Sequence, residues 1–217
     1  MIRLYNMRQN LLKMPKNLQK NLKFIVGIDE AGRGPLAGPV AVGAVVIPYN
    51  KKHPLLKGPK DSKQISEKLR EEWFEKLKVA EKEGTLGYHV SLVSAKIIDE
   101  KGIVPAIKIA VKRCLDKLAV PPHETMVLLD GSLYAPDYFL YQKTIIRGDQ
   151  TEPLISLASI AAKVTRDRKM VQLSKKYPLY DFHIHKGYGT LSHRKAIKKF
   201  GLCDVHRRSF LKNVVLY

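Results

Sequence analysis

Cysteine is scarce in this sequence, with only Cys114 and Cys203 among 217 residues. The two lie far apart and lack the paired spacing of zinc modules, so neither a disulfide framework nor a zinc finger is indicated. Long apolar runs are also missing, because no stretch approaches the roughly 18 residues that a membrane-spanning helix needs. We therefore expect a protein of the reducing cytoplasm that does not enter a membrane.

Acidic residues are few relative to basic ones: 20 Asp and Glu stand against 39 Lys and Arg, which gives a formal net charge of +19. The excess is concentrated at the two ends of the chain. Residues 1–23 carry six basic side chains and no acid, and residues 171–217 carry ten basic side chains against two acids. This distribution predicts a polyanionic partner, above all nucleic acid, with a general role in solubility as the simpler alternative.

The charge pattern also suggests how the chain is divided. Residues 1–23 are rich in Asn, poor in Ser and without a long apolar stretch, so we interpret them as a basic arm rather than a targeting peptide. We expect this arm to be disordered. Residues 24–170 are predicted to form the main domain, and residues 171–217 a basic helical part of the same domain that contacts the partner.

Hydrophobic patterning predicts an α/β domain built on a mixed sheet. Short apolar runs, most of them rich in β-branched residues, predict five strands at residues 24–28, 40–47, 86–93, 126–129 and 144–146. Apolar residues at helical spacing predict a helix that begins near Ile65 with Ser66 as N-cap, and further helices over residues 104–118 and 154–177. A last basic helix is predicted from about residue 191.

The first predicted strand runs into the stretch IDEAGRG. Successive side chains of a strand point to opposite faces, so Asp29 and Glu30 can share one site only where the strand ends between them. Gly32 and Gly34 favour such an ending, and the N–H groups between them, with Arg33, suit a phosphate. The alternative is a plain boundary between strand and loop, in which Asp29 caps a turn and Arg33 pairs with Glu30.

Two further acids have both an ordinary and a functional interpretation. Asp130 ends a predicted strand, where an aspartate is common in turns. Asp167 lies in the long helix one turn after Lys163, so the two side chains share a face. The ordinary interpretation of Asp167 is an ion pair with Lys163 or Arg166.

Four acids are then candidates for one site: Asp29, Glu30, Asp130 and Asp167. If they converge, their formal charge of −4 raises their pKa values unless cations compensate it. Two divalent ions balance that charge, and ligation by oxygen alone selects Mg²⁺ or Mn²⁺ over zinc. Two such ions about 4 Å apart activate water and stabilise the leaving oxygen of a phosphodiester. The residues thus predict a metal-dependent nuclease, and a basic nucleic-acid-binding protein without catalytic activity is the alternative.

Seven motifs of the chain resemble, in order, those of one family: ribonuclease HII, the type 2 ribonuclease H. They read IDEAGRGPLAGPV, KDSKQIS, LLDG, IIRGDQ, SLASIAAKVTRD, HKGYGT and HRRSF, and they span roughly residues 24–210. No single motif is decisive, but seven in the family's order make the resemblance specific. The sequence departs from the family's pattern at a few positions, such as Pro59 before the second motif. None of these departures removes one of the four acids, so they concern the substrate groove and not the reaction.

The resemblance implies a ribonuclease H-like fold, with a mixed five-stranded sheet flanked by helices and a helical C-terminal extension. It implies hydrolysis of the RNA strand of RNA/DNA hybrids and incision at single ribonucleotides in duplex DNA, leaving 3′-hydroxyl and 5′-phosphate ends. The four acids stand at the family's metal-binding positions.

For the substrate, the resemblance implies that the loop Gly32, Arg33 and Gly34 senses the ribose 2′-hydroxyl, which backbone amides can read from the minor groove. Tyr188 matches a tyrosine that packs on the neighbouring sugar, and a core tyrosine is its alternative. Lys63 matches a lysine near the substrate backbone, and a solvated lysine before a helix is its alternative.

Two further expectations concern relatives and partners. The rival type, ribonuclease HIII, has a Gly-Lys-Gly-like loop and an added N-terminal domain, so Arg33 and the short leader favour ribonuclease HII. The C-terminal stretch SFLKNVVLY lacks the glutamine and paired aromatics of a sliding-clamp peptide. We therefore expect a monomer that acts without a protein partner.

Overall fold

The computed structural model describes residues 20–58 and 65–211. Most of the predicted N-terminal arm and the segment with Lys63 lie outside the described residues, so the predictions made for them are not addressed by the structure. The described strands are β1 (Phe24–Ala31), β2 (Val40–Pro48), β3 (Gly87–Val93), β4 (Thr125–Asp130) and β5 (Gln142–Ile145). The described helices are α1 (Glu67–Lys82), α2 (Ala95–Lys101), α3 (Ile103–Leu118), α4 (Gly148–Thr151), α5 (Pro153–Lys176), α6 (Phe182–His185), α7 (Leu191–Phe200) and α8 (Arg208–Leu211).

The five described strands form one sheet in the order β3-β2-β1-β4-β5. β1 is antiparallel to β2 and parallel to β4, while β2 pairs antiparallel with β3 and β4 pairs parallel with β5. The predicted mixed sheet flanked by helices is confirmed. Helix α2 was not predicted, since seven residues give too few repeats for a periodic signal, although Ser94 caps it by accepting a hydrogen bond from the Ile97 amide.

β1 does not end between Asp29 and Glu30, so the predicted strand boundary is wrong. The strand continues to Ala31 because β2 pairs along its whole length, with Asp29 opposite Gly43. Its pairing with β4, in contrast, stops at Ile28. β1 therefore loses one neighbour just before the two acids, and this open edge replaces the expected strand end as the feature that gives access to them.

Helix α5 crosses β1 and β2 at very short range. A Cβ atom at Gly27 would overlap the backbone of Leu154, and one at Gly43 would overlap the carbonyl oxygen of Ala158. The first half of α5 is accordingly buried on nearly all sides, which requires a helix that is apolar or small all round. The close approach sets the α5 side chains Ser159 and Lys163 beside the open edge of β1.

The opposite face of the sheet is covered mainly by α3, whose apolar side chains pack on β2 and β3. Cys114 of this helix is fully buried, and its thiol donates to the carbonyl oxygen of Val42 at 3.3 Å. Burial raises the pKa of the Cys114 thiol to about 12, so this cysteine is an unreactive core side chain.

The chain after α5 folds back onto the loop that follows β1. Met170 of α5, Tyr180 and Phe182 form a small buried cluster, and Ala37 of the loop belongs to it. Ala37 also makes an isolated β-bridge with His206. The last basic part of the described chain is thus anchored beside the IDEAGRG motif. No helix in the described ranges is long and apolar enough to cross a membrane.

Candidate active site

Asp29, Glu30 and Asp130 lie together at the open edge of β1. β4 runs parallel to β1, and extending their register by one residue sets Asp130 beside Asp29. Burial raises the pKa of Asp29 well above its ordinary value, and the carboxylates of Asp130 and Glu30 raise it further. Burial also raises the pKa of Glu30, where Arg33 opposes the rise and Asp130 adds to it. Although successive side chains of β1 alternate between the faces of the sheet, both carboxylates interact with Asp130, because β4 no longer pairs with β1 beyond Ile28. The three acids are therefore called the coupled acids.

The environment of Asp29 fits a bound cation. The residue is 1% exposed, and its Oδ1 accepts a hydrogen bond of 2.7 Å from the Glu30 amide. Its Oδ2 is buried and accepts no hydrogen bond of ordinary geometry from the described residues, while the nearby Ser159 hydroxyl opposes part of the rise in the Asp29 pKa. Such an oxygen costs free energy when it carries charge. A hard divalent ion such as Mg²⁺ or Mn²⁺, which takes oxygen ligands, would satisfy the oxygen and reduce the repulsion between the acids.

Asp167 is held differently from the other three acids. Lys163 Nζ lies 2.9 Å from its carboxylate, and Arg166 Nη1 lies 3.9 Å away. These contacts are the ion pairs that the sequence offers as the ordinary interpretation of Asp167. In the part of the chain that the structure describes, no group of three or more His, Cys, Asp or Glu side chains is assembled closely enough to hold a metal ion.

A cavity of about 320 Å³ opens next to the coupled acids. Its walls come from the end of β1 and the following loop, from α1, from α5 and from the segment before α7. The lining residues are Glu30, Ala31, Gly32, Arg33, Gly34, Arg70, Ser159, Lys163 and Tyr188. The structure therefore brings five of the residues predicted from the sequence into one cavity: Glu30, Gly32, Arg33, Gly34 and Tyr188.

The loop after β1 is held from behind by Arg207, which is fully buried. The Arg207 guanidinium donates to the carbonyl oxygens of Gly32 at 2.7 Å, Arg33 at 2.9 Å and Gly38 at 3.0 Å. The described peptide bonds are trans, so the N–H of each residue points opposite to the C=O of the residue before it. The N–H groups of Arg33 and Gly34 therefore point away from Arg207, which is the orientation that a ligand of the loop requires.

A second buried guanidinium, that of Arg166 on α5, supports the same loop. It donates to the carbonyl oxygens of Pro39 at 2.9 Å and Ala37 at 3.3 Å. Gly32 has φ +85°, and a Cβ atom there would overlap the Arg166 side chain. Only glycine fits this position, because it needs both the left-handed backbone and the space of a missing side chain.

Tyr188 stands at the mouth of the cavity and is 43% exposed, so it is not a core tyrosine. Its ring centre lies 5.8 Å from Lys163 Nζ and 5.8 Å from Arg166 Cζ. The preceding residue, Gly187, accepts a hydrogen bond of 2.8 Å through its carbonyl oxygen from the amide of Leu36. The segment that carries Tyr188 is thus docked directly on the loop after β1.

Two buried histidines hold the Tyr188 backbone from the other side. The Tyr188 carbonyl oxygen lies 2.9 Å from His193 Nδ1, and His193 Nε2 lies 3.1 Å from His206 Nε2. His206 Nδ1 accepts from the Cys203 amide at 3.0 Å. One assignment satisfies every contact: His206 donates from Nε2 to His193, which donates from Nδ1 to Tyr188. Both rings are then neutral.

Sequence reasoning missed several residues of this site. Arg207 lies within the motif HRRSF, but its task depends on carbonyl groups about 170 positions earlier, which no local pattern encodes. For Lys163 the sequence shows only its helical spacing from Asp167. Arg70 gave no signal, since one arginine in the first turn of an amphipathic helix is ordinary.

Comparison with known proteins agrees with this architecture. The family model for Ribonuclease HII matches residues 26–213. The ribonuclease HII of Caldicellulosiruptor bescii is 44% identical over 200 residues, which cover 92% of this chain and 92% of that protein. Among solved structures, the PCNA:RNase HII complex from Archaeoglobus fulgidus contains a chain that superposes with a TM-score of 0.72 and 26% identity, covering 88% of this chain and 96% of that one.

A second solved structure gives the same result. The ribonuclease H2 from Pyrococcus horikoshii OT3 superposes with a TM-score of 0.65 and 28% identity, covering 88% of this chain and all of that one. These likenesses confirm the ribonuclease H-like fold. Because the family model matches residues 26–213 of this chain, the chain belongs to the ribonuclease HII family and is an endoribonuclease of the ribonuclease H type.

Proposed function

We propose that this protein hydrolyses the RNA strand of RNA/DNA hybrids and incises duplex DNA at single ribonucleotides, leaving 3′-hydroxyl and 5′-phosphate ends. Family membership supports the reaction class. The single observation that carries the proposal further is Asp29, a buried carboxylate with an unpartnered oxygen beside Asp130 and Glu30. A site that concentrates negative charge in this way disfavours a nucleic acid unless cations intervene.

We assign the metal-binding role to Asp29, Glu30, Asp130 and Asp167, with Mg²⁺ or Mn²⁺ as the cation. When bound, such ions supply an activated water molecule and stabilisation of the leaving oxygen of the phosphodiester. Asp29 offers a buried oxygen, and Asp130 offers the half-buried carboxylate at the end of the neighbouring strand. Asp167 takes part once its carboxylate turns from Lys163 towards the cation.

Recognition of the ribose falls to the loop after β1. The outward N–H groups of Arg33 and Gly34 can donate to the 2′-hydroxyl and the neighbouring phosphate. Gly34 has no side chain to obstruct them, and no protein atom lies within 4 Å of the place where its Cβ would be. The exposed ring of Tyr188 provides a flat surface for the adjacent sugar. Deoxyribose at the position read by the loop lacks the group that these donors satisfy.

The experiment that tests the proposal is cleavage of a labelled DNA duplex with one embedded ribonucleotide. The wild-type protein should cut next to the ribonucleotide with Mg²⁺ and stop in excess chelator. Asp130→Asn should bind the duplex normally and lose most turnover. Asp137→Asn is the matched control, because Asp137 is exposed in the loop after β4 and outside the cavity. Full activity in excess chelator would overturn the metal assignment.

Protein partners stay outside this proposal. The Archaeoglobus fulgidus relative was solved in complex with PCNA. The C-terminal stretch of this chain lacks the features of a sliding-clamp peptide, and residues 212–217 lie outside the described residues. The expectation of a monomer without a protein partner stays a prediction, which light scattering and pull-down with a sliding clamp would test.

A further inference from the structure

The cavity carries an excess of positive charge that is unevenly compensated. Three cationic side chains line it, Arg33, Arg70 and Lys163, against the single acid Glu30. Arg33 Nη1 lies 3.5 Å from Glu30 Oε1, and Lys163 Nζ lies 2.9 Å from Asp167. Within the described ranges, no carboxylate lies at ion-pairing distance from Arg70. The charge of Arg70 is therefore the one in the described cavity wall that no described acid balances.

The position of Arg70 on α1 is fixed by helix packing. Ser66 caps the helix, and Arg70 lies in the first turn. Phe74 follows four residues later and Leu77 three residues after that, so the three side chains share a helix face. Phe74 and Leu77 are buried in the core between the sheet and α5. Arg70 is consequently the polar end of an inward face, and this face leads it to the cavity.

Contacts between helices hold that face in register with α5. Glu71 and Glu75 of α1 both bind the guanidinium of Arg168 on α5, the latter at 3.1 Å. Among the described residues, the guanidinium of Arg70 itself has one hydrogen bond: its Nη1 donates to the carbonyl oxygen of Ile65 at 2.5 Å. One edge of the Arg70 guanidinium is thereby oriented, and in the described structure its other N–H groups make no hydrogen bond to protein.

We infer that Arg70 binds a phosphate of the nucleic-acid strand that enters the cavity, next to the ribose read by the loop Gly32, Arg33 and Gly34. A guanidinium offers parallel N–H donors that match two oxygens of one phosphate, and an oriented guanidinium loses little freedom on binding. The inference rests on the proposed function, since it assigns a substrate contact within the same site. It adds a residue of α1 to a site otherwise formed by the sheet, α5 and the C-terminal part.

The first test compares the salt dependence of cleavage. Arg70→Gln should raise KM for the ribonucleotide-containing duplex about tenfold, and it should make the slope of log kcat/KM against log [KCl] shallower by about 1. Arg70→Lys should keep the slope. Both replacements retain a donor for the Ile65 carbonyl, and thermal melting confirms that they fold. Arg113→Gln, an exposed arginine of α3 on the opposite face of the sheet, should leave KM and the slope unchanged.

The second test identifies the phosphate itself. Duplexes are prepared in which one phosphodiester near the ribonucleotide is replaced by a neutral methylphosphonate, one position at a time. The wild-type protein should lose affinity at several positions. Arg70→Gln should be insensitive at one of them, because the lost partner is already absent, which is the non-additivity expected of a direct contact. Binding is measured by fluorescence anisotropy in chelator, without cleavage.

The outcomes separate this inference from the proposed function. A wild-type protein that cuts no ribonucleotide-containing duplex contradicts the proposed function. A wild-type protein that cuts, together with an Arg70→Gln variant of unchanged KM, salt slope and methylphosphonate profile, overturns the role of Arg70 alone.

Discussion

Arg207 donates a hydrogen bond of 2.7 Å from Nη2 to the carbonyl oxygen of Gly32, a residue 175 positions earlier in the chain. With its bonds to the Arg33 and Gly38 carbonyls, this contact fixes which way the peptide groups of the loop face. Burial lowers the pKa of the Arg207 guanidinium to about 9, and repulsion from Arg166 contributes to the shift. The side chain still carries its charge at neutral pH.

Arg207→Lys should weaken both the fold and the selectivity of the enzyme. Lysine keeps the charge, but its single ammonium group cannot reach all three carbonyl oxygens that the planar guanidinium binds. At least one buried carbonyl then loses its donor, at a cost on the order of 2 kcal/mol. The loop N–H groups then lose their fixed direction. We expect a lower melting temperature and a smaller ratio of cleavage at ribonucleotide over deoxyribonucleotide positions. Arg208→Lys, exposed beside it, is the control, and equal effects in the two variants would contradict the assignment.

Asp29→Asn should stabilise the metal-free protein while it abolishes cleavage. The raised pKa of Asp29 means that its charged form is disfavoured in the folded state, chiefly by burial and then by repulsion from Asp130 and Glu30. An amide removes the charge, and a gain of about 1 kcal/mol corresponds to roughly 2–4 °C in melting temperature. Calorimetry in chelator at pH 7 measures it. A melting temperature lowered in Asp29→Asn but not in Asp137→Asn would show that the carboxylate is structurally needed instead.

Gly43→Ala should destabilise the protein by about 3 kcal/mol, because the added methyl group meets the α5 backbone and not a side chain that can turn aside. Gly87→Ala is a graded comparison at the edge of the same sheet, where the new Cβ would lie 3.0 Å from a methyl carbon of Val46. Urea unfolding of both variants gives the two free energies. The close packing of α5 on β2 would be refuted by a Gly43→Ala variant as stable as the wild type.

The contribution of His193 and His206 to the stability of the protein should be lost as the pH is lowered from about 6.5 to about 4. Burial lowers the pKa of His193 and of His206 to about 4, whereas an unfolded histidine titrates near 6.5. Between these values the unfolded chain binds more protons, so the free energy of unfolding rises with pH and is lost on acidification, by an amount on the order of 2 kcal/mol for one histidine after solvent screening.

Urea unfolding between pH 7 and pH 4.5 measures this dependence. His206→Gln should reduce it, since one of the two titrating rings is gone. His123→Gln provides the control, because His123 is exposed and remote from the pair. Because the raised pKa values of Asp29 and Glu30 act in the opposite sense in both proteins, the histidine contribution is the difference between the wild type and His206→Gln. The same pH dependence in these two proteins would contradict the neutral hydrogen-bonded pair.

The sheet and the main helices could be predicted from the sequence because their signals are local. The Ser66 N-cap is confirmed, since its Oγ accepts from the Leu69 amide at 3.2 Å. The end of β1 could not be found this way. Glycines after Asp29 and Glu30 indicate a turn, yet the strand continues because β2 lies alongside it, and a pairing partner is a property of the folded chain.

The candidate site divides along the same line. Acids and glycines stand out in a sequence because their chemistry and backbone freedom are unusual wherever they occur. Buried arginines such as Arg166 and Arg207 do not, because an arginine is ordinarily a surface residue and only the fold shows which carbonyls it meets. The sequence leaves an ion pair with Lys163 as one of the alternatives for Asp167, and the structure shows this pair.

The bond between Arg207 and Gly32 also sets an order of events during synthesis. Ribosomes add roughly 5–20 residues per second, so Gly32 is made on the order of ten seconds or more before the arginine that orients its peptide groups. Asp130 of β4 is also made before Arg207, so the acids of β1 and β4 are present while the peptide groups of the loop after β1 still lack their support. The growing chain therefore has its acids in place before it fixes the peptide groups of the loop beside them.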